Sequence, residues 1–175
     1  MSGTSSDRLI NLFGALALGV SDRIRAAAAE AMPAGGETAA ALVVIGHGAA
    51  LSIDQLSRVL RMSHPGAVRL VDRLVGLGLV ERRPSDSDRR IMHVVLTEAG
   101  VAQREKLLAL RHDVLRTLLD KVSARDRGAL ERAADAILAS LPQNALSALT
   151  ICRFCNEQRC PDCPMDQYGP VQSPA

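Results

Sequence analysis

The chain has 175 residues, 47% of them hydrophobic and only 2% aromatic, with a net charge of +2. That length and apolar content can bury a substantial core without covalent staples, while Phe13, Phe154 and Tyr168 alone cannot build the stacking platform that single-stranded nucleic acid needs. The charge is uneven: residues 58–93 hold eight arginines against four acids, making that stretch +4 and the remainder −2, which suits a polyanionic partner at one place or a solvated surface.

The first segment, LINLFGALALGV, has the look of a short signal-peptide core, but Asp7 precedes it, Asn11 interrupts it, and no apolar span of about 18 residues follows. It reads as a buried helix, with no membrane segment and a cytoplasmic location expected. Leu9, Phe13, Leu16, Val20 and Ile24 recur at the spacing of one helical face, and Pro33 with the Gly35-Gly36 pair ends it. The next segment, TAAALVVIGHG, has almost no polar face and predicts a fully buried helix. His47 in that setting reads as a core histidine rather than a ligand.

In LSIDQLSRVL, Ser52 and Gln55 have the spacing of a capping box, so a helix should start there. Its partner follows at once in MSHPGAVRLVDRLVGLGLV. Ser63 is a good N-cap, Pro65 falls in the first turn where a missing N–H is harmless, and Gly78 ends the helix. Two short helices joined by so few residues form a helix-turn-helix. Ala67, Leu70, Val71 and Leu74 make the apolar face of the second helix, while Gly66, Arg69 and Arg73 share another.

From Leu79 the pattern changes. LVERR, a PSDSD turn and RRIMHVVLT read as a β-hairpin. Thr97 should cap a long helix in which Val101, Leu108, Leu115 and Val122 recur every seven residues, widened by Val114 and Leu118. Ser123 begins a further helix with apolar positions at Leu130, Ala134, Ile137 and Leu141, ending near Pro142. The expected class is mainly α with a minor β component: a winged helix-turn-helix flanked by long terminal helices. The units run 1–32 for the N-terminal helix, 38–97 for the winged helix, 98–145 for the C-terminal helices and 146–175 for a cysteine-rich tail. The stripe on Leu108, Leu115 and Leu118 carries more apolar surface than the winged helix can cover, which calls for a second copy.

A helix-turn-helix followed by a basic hairpin suits duplex DNA. Arginine can donate two bonds to guanine in the major groove, and a hairpin tip can reach the minor groove or a phosphate. Arg69 and Arg73 are the candidate base contacts. Ser63 and His64 stand at the helix N-terminus, where backbone N–H groups also attract phosphate, and Gly66 lies on the same face. The bland alternative is that Arg82 and Arg83 only solvate a strand edge and that Asp88 to Arg90 form a surface ion pair worth under ~1 kcal/mol. His93 and His112 read as surface or packing residues.

From about Leu9 to Leu141 the sequence resembles the winged-helix transcription factors of the multiple antibiotic resistance regulator (MarR) family, most specifically in DRRIMHVVLTEAG and in SHPGAVRLVDRLVGLGLVERR. The resemblance implies a homodimer, often a repressor, reading a pseudo-palindromic double-stranded operator, with a small-molecule effector in many relatives. It also implies that Arg90 enters the minor groove, oriented by Asp88, with Arg89 beside it. The wing turn here is shorter than in many relatives. No cysteine precedes Cys152, which argues against an N-terminal thiol switch.

All four cysteines fall in CRFCNEQRCPDCP: Cys152, Cys155, Cys160 and Cys163, spaced C-x2-C-x4-C-x2-C. Two such hooks supply the four thiolates of tetrahedral zinc. They could equally hold an iron–sulfur cluster or work as metal-free redox thiols. The leading expectation is therefore a non-enzymatic, DNA-binding homodimer with a structural or sensory metal centre. The competing one is an iron–sulfur electron-transfer protein whose winged helix docks a protein. No nucleophile motif, phosphate loop or carboxylate pair supports a hydrolase.

Overall fold

Capping side chains set where most helices begin. The computed structural model describes residues 6–32, 35–48, 51–85 and 91–171. Ser6 accepts from the Leu9 N–H at 3.2 Å and starts α1 (Asp7–Ala31), of which only Ala27 and Ala28 are buried. The burial expected of its first half is not met within one chain: Leu9, Ile10, Leu12, Phe13, Leu16 and Leu18 are all exposed, because only the end of α1 packs on the core. Helix α2 (Gly36–Ile45) is the opposite case, because every residue from Thr38 to Ile45 is buried. It forms the centre of the core, as its lack of a polar face predicts.

Strand β1 is only Leu51–Ser52, and Ser52 also opens α3 (Ile53–Val59). The capping box is formed in full: the Ser52 N–H donates to Gln55 Oε1 at 2.9 Å and the Gln55 N–H to Ser52 Oγ at 3.3 Å. Helix α4 (His64–Gly76) starts on Ser63, with Pro65 in its first turn. Past its end Gly78 takes φ 70°, the left-handed conformation that glycine adopts without penalty.

Strands β2 (Val80–Pro84) and β3 (Met92–Leu96) pair antiparallel from Val80↔Leu96 to Pro84↔Met92, and β1 adds to the other edge of β3. The hairpin is thus present, while Asp88, Arg89 and Arg90 at its tip lie outside the described residues. Thr97 opens α5 (Glu98–Leu119): it accepts from the Gly100 N–H at 3.1 Å and donates to Gly78 O at 2.6 Å. A Cβ on Gly100 would stand 1.9 Å from the Leu79 carbonyl oxygen, so the close seating of α5 on the sheet requires a glycine.

The seven-residue stripe does not extend as far as the sequence suggests. Helix α5 ends at the Asp120 cap, and Val122 falls in the turn before α6 (Ala124–Ser140). Ser123 causes the break, accepting from the Asp126 N–H at 3.2 Å and donating to the Asp126 carboxylate at 2.6 Å, so a new helix start is fixed there. Helix α6 contains no buried residue. A seventh helix not anticipated from the sequence, α7 (Ala145–Ile151), rises from a second capping box between Asn144 and Ser147. It leads into the cysteine tail, which folds back on the molecule: Tyr168 donates to Ala139 O at 2.9 Å, and Met165 is buried.

Candidate functional site

Two regions gather the chemistry. The first is the outward face of α4. Ala67, Leu70, Val71 and Leu74 are buried and fix the helix from behind, which turns His64, Arg69 and Arg73 outward into exposed positions. Ser63 accepts from the Gly66 N–H at 3.3 Å. A Cβ at Gly66 would lie 3.1 Å from the Ser63 hydroxyl, so Gly66 lets the cap close tightly. The acid on this helix is engaged sideways: Arg82 of β2 donates to Asp72 at 2.6 Å. That exposed pair is worth ~0–1 kcal/mol, and its effect is to join wing to helix while covering a negative charge. Arg83 pairs with Glu81. The sequence-predicted contacts Ser63, His64, Gly66, Arg69 and Arg73 therefore share one helix, whereas Asp88, Arg89 and Arg90 lie outside the described residues. His93 is buried in the sheet and His112 is exposed, as their lack of motif context suggested.

The second region is a cavity of about 490 Å3 lined by Cys152, Cys155, Cys160 and Cys163 together. The first hook is a local turn, in which the Cys155 N–H donates to Cys152 O at 2.7 Å, and a further turn follows the second hook, the Asp166 N–H donating to Cys163 O at 3.0 Å. Within the first hook the Cys152 thiol donates to Cys155, and Arg111 Nη2 of α5 lies 3.6 Å from the Cys155 sulfur. Those contacts, led by the Cys152 hydrogen bond, outweigh burial and draw the Cys155 thiol down to about 6. Cys152 is pushed up by the same hydrogen bond and by burial; Cys160 is pushed up by burial and by the charge of Cys163.

The surroundings of the thiols were not legible in the sequence. His47, more than a hundred residues upstream, reaches the cavity from the end of α2. It hydrogen-bonds the Cys155 backbone; burial lowers its pKa, and its buried Nε2 has no hydrogen-bond partner, the nearest charge being Glu157 at 3.7 Å. Glu157, between the two hooks, accepts from Arg104 Nη2 at 2.7 and 2.6 Å on its two oxygens. The core-histidine expectation for His47 is right about burial and incomplete about surroundings. Among the described residues, no three His, Cys, Asp or Glu side chains stand close enough to hold one metal ion. As folded, the thiols are two pairs facing one cavity. The donor chemistry fits soft-metal ligation, provided the pairs close on each other.

Residues 35–91 match the MarR family model. The chain is 36% identical over 89 residues to the transcriptional repressor MprA of Escherichia coli (strain K12), an alignment covering 51% of each, so the chain spans about half the length of the curated relatives it matches. Among solved structures, apo MarR from E. coli superposes with a TM-score of 0.60 at 27% identity, covering 71% of this chain and 96% of that one. A MepR variant from S. aureus bound to an oligodeoxyribonucleotide superposes with a TM-score of 0.54 at 18% identity, covering 77% and 98%. No helix among the described residues is long and apolar enough to cross a membrane.

The thiol geometry makes a pH-dependent expectation for reduced, metal-free protein. A lowered pKa keeps Cys155 as thiolate at neutral pH and protonates it as pH falls through about 6. Iodoacetamide labelling of Cys155, followed by peptide mass mapping, should decline through that window, and Arg111→Leu should move the decline upward. Labelling of Cys155 that begins only in the ordinary thiol range would contradict the arrangement.

Proposed function

We propose that this chain, whose residues 35–91 match the MarR family model, is a transcriptional regulator of that kind: it binds double-stranded DNA in the cytoplasm as a homodimeric repressor, and its tail forms a four-cysteine metal centre. The observation that carries the DNA reading is the α4 face: it is locked from behind by four buried apolar side chains and presents Arg69 of its middle and Arg73 of its last turn outward. That placement suits bidentate arginine–guanine contacts in a major groove. The MepR variant bound to an oligonucleotide supplies a precedent on the same fold.

Dimerisation is supported by apolar surface with nothing over it on one chain. Phe13 is 51% exposed, Leu16 55%, Leu130 39% and Leu141 56%. Burying a fully exposed side chain of this kind gains ~1.5–3 kcal/mol, and these, already about half covered, retain roughly half of that each, which summed over both terminal lobes favours a second copy. Two-fold pairing would set two α4 helices on half-sites about 10 bp apart in a pseudo-palindrome. The wing residues Asp88, Arg89 and Arg90 would flank each helix on the phosphate and minor-groove side.

For the tail, four thiols on one cavity wall and the unpartnered Nε2 of His47 support a metal-binding role, with zinc the leading occupant and an iron–sulfur cluster the alternative. Cys152, Cys155, Cys160 and Cys163 would hold it, and a closed four-thiolate zinc site would serve structure rather than catalysis. The Cys152–Cys155 hydrogen bond favours a second reading, a redox dithiol without metal.

Arg69→Ala should weaken binding to a selected operator by ~1–3 kcal/mol and relax specificity at one position, whereas Arg90→Ala should weaken all duplexes more evenly. Binding indistinguishable from wild type in both variants, read by fluorescence anisotropy, would remove α4 and the wing from the interface. Protein purified without oxygen should contain near-stoichiometric zinc or iron, lost in Cys155→Ser and in Cys163→Ser, with colour separating the metals. Fewer than about 0.2 equivalents of either would leave only the dithiol reading.

A further inference from the structure

Away from both regions, the end of α1, the start of α2, the α3–α4 turn and the tail enclose a smaller cavity of about 190 Å3. Arg25, Arg61 and Arg153 line it, with Glu37 the one acidic side chain among the lining residues. Glu37 compensates little: its closest approach to Arg25 is 3.6 Å, and both side chains are about half exposed. Among the described residues no carboxylate forms an ion pair with Arg61 or Arg153. Arg153 is nonetheless held in place, its Nη1 donating to Thr150 O at 2.5 Å. Burial and the fields of Arg25 and Arg61 both act against its charge, with Glu37 acting in favour.

Two backbone features point the same way. Arg61 has φ 54°, the left-handed region in which a residue with a Cβ is strained and glycine is not. The turn does not need an arginine, because it is closed by backbone bonds from Arg61 N–H to Arg58 O at 3.2 Å and from Met62 N–H to Ser57 O at 3.0 Å. Strain retained at a position where a simpler residue would serve marks a ligand-facing role. Gly36, the first residue of α2, also lines the cavity, and the N-cap Gly35 brings no side chain to cover that helix start.

We propose that this cavity binds a compact oxyanion, held by Arg25, Arg61 and Arg153, and that its occupancy fastens the first cysteine hook to the turn of the helix-turn-helix. The chemistry is shared by free phosphate and by the phosphate group of a small organic ligand. Both have several charged oxygens for three converging guanidinium groups. Arg153 lies between Cys152 and Cys155 and Arg61 lies two residues before the α4 cap, so the bound anion bridges the tail and the DNA-reading element.

The test is thermal unfolding of the full chain in inorganic phosphate, against sodium chloride at matched ionic strength, with glycerol phosphate and acetate as further arms. Wild type should show a saturable rise in melting temperature with phosphate. A stronger response to glycerol phosphate would identify an organic phosphate, and a response to acetate alone would overturn the site. Arg61→Gly relieves the left-handed strain and so keeps the chain folded, yet it should bind phosphate about tenfold more weakly, as should Arg153→Gln. Glu37→Gln should bind more tightly. Equal phosphate responses in wild type, Arg61→Gly and Glu37→Gln would show a bulk salt effect and overturn the proposal. So would an Arg61→Gly variant that loses operator affinity in phosphate-free buffer while keeping the full phosphate response, because Arg61 would then be a DNA contact.

Discussion

The buried guanidinium of Arg104 decides how this molecule is put together. It sits on α5 with 6% of its surface exposed, donates from Nε to the Val43 carbonyl of α2 at 3.2 Å, and turns its other end to both oxygens of Glu157 in the tail. A charge taken that far out of water is tolerated only when paired. Glu157 supplies the pair, so docking of the cysteine tail compensates the charge that α5 buries against α2. Gly46 shows how closely the parts meet: a Cβ there would stand 2.2 Å from Arg104 Cδ. Removing one partner of a fully buried pair costs ~3–5 kcal/mol, and a pair whose carboxylate is about a third open to water falls below that range. Even so reduced, the cost is a large share of a domain's ~5–15 kcal/mol stability.

This arrangement gives the cysteines a physical route to the winged helix. The linker that carries Glu157 lies between the two hooks, and His47, at the end of α2, faces the same cavity as the thiols. A change at the thiols that moved the linker would therefore act on α2, the most buried helix of the core, against which α1, α5 and β3 are packed. The outward face of α4 is held by Ala67, Leu70, Val71 and Leu74 in that same core. A tail that could have been a loose appendage is thus part of the scaffold positioning α4.

Most of the fold was legible because its signals are local. Ser52, Ser63, Thr97 and Ser123 each cap the helix that their sequence context announced, and the all-apolar composition of α2 predicted its burial. The heptad reading overran into Val122 because periodicity carries no information about a competing cap, which Ser123 and Asp126 provide. Helix α7 and the two-residue β1 are too short for a periodic signal. The thiol cavity was half legible: the cysteine spacing named the donors, but Arg104–Glu157 and His47–Cys155 join residues far apart in sequence. No single-sequence pattern ties such pairs together. The left-handed Arg61 was equally invisible, since the residue type argues against the conformation it adopts.

In the assembly proposed above, two copies of this chain present two α4 helices to one duplex. Sedimentation of a labelled operator titrated with protein measures it most directly. A single complex of two chains per duplex is expected, formed without a stable one-chain intermediate and weakened steeply by salt as phosphate contacts are screened. A complex of one chain per duplex, or binding indifferent to salt, would contradict it.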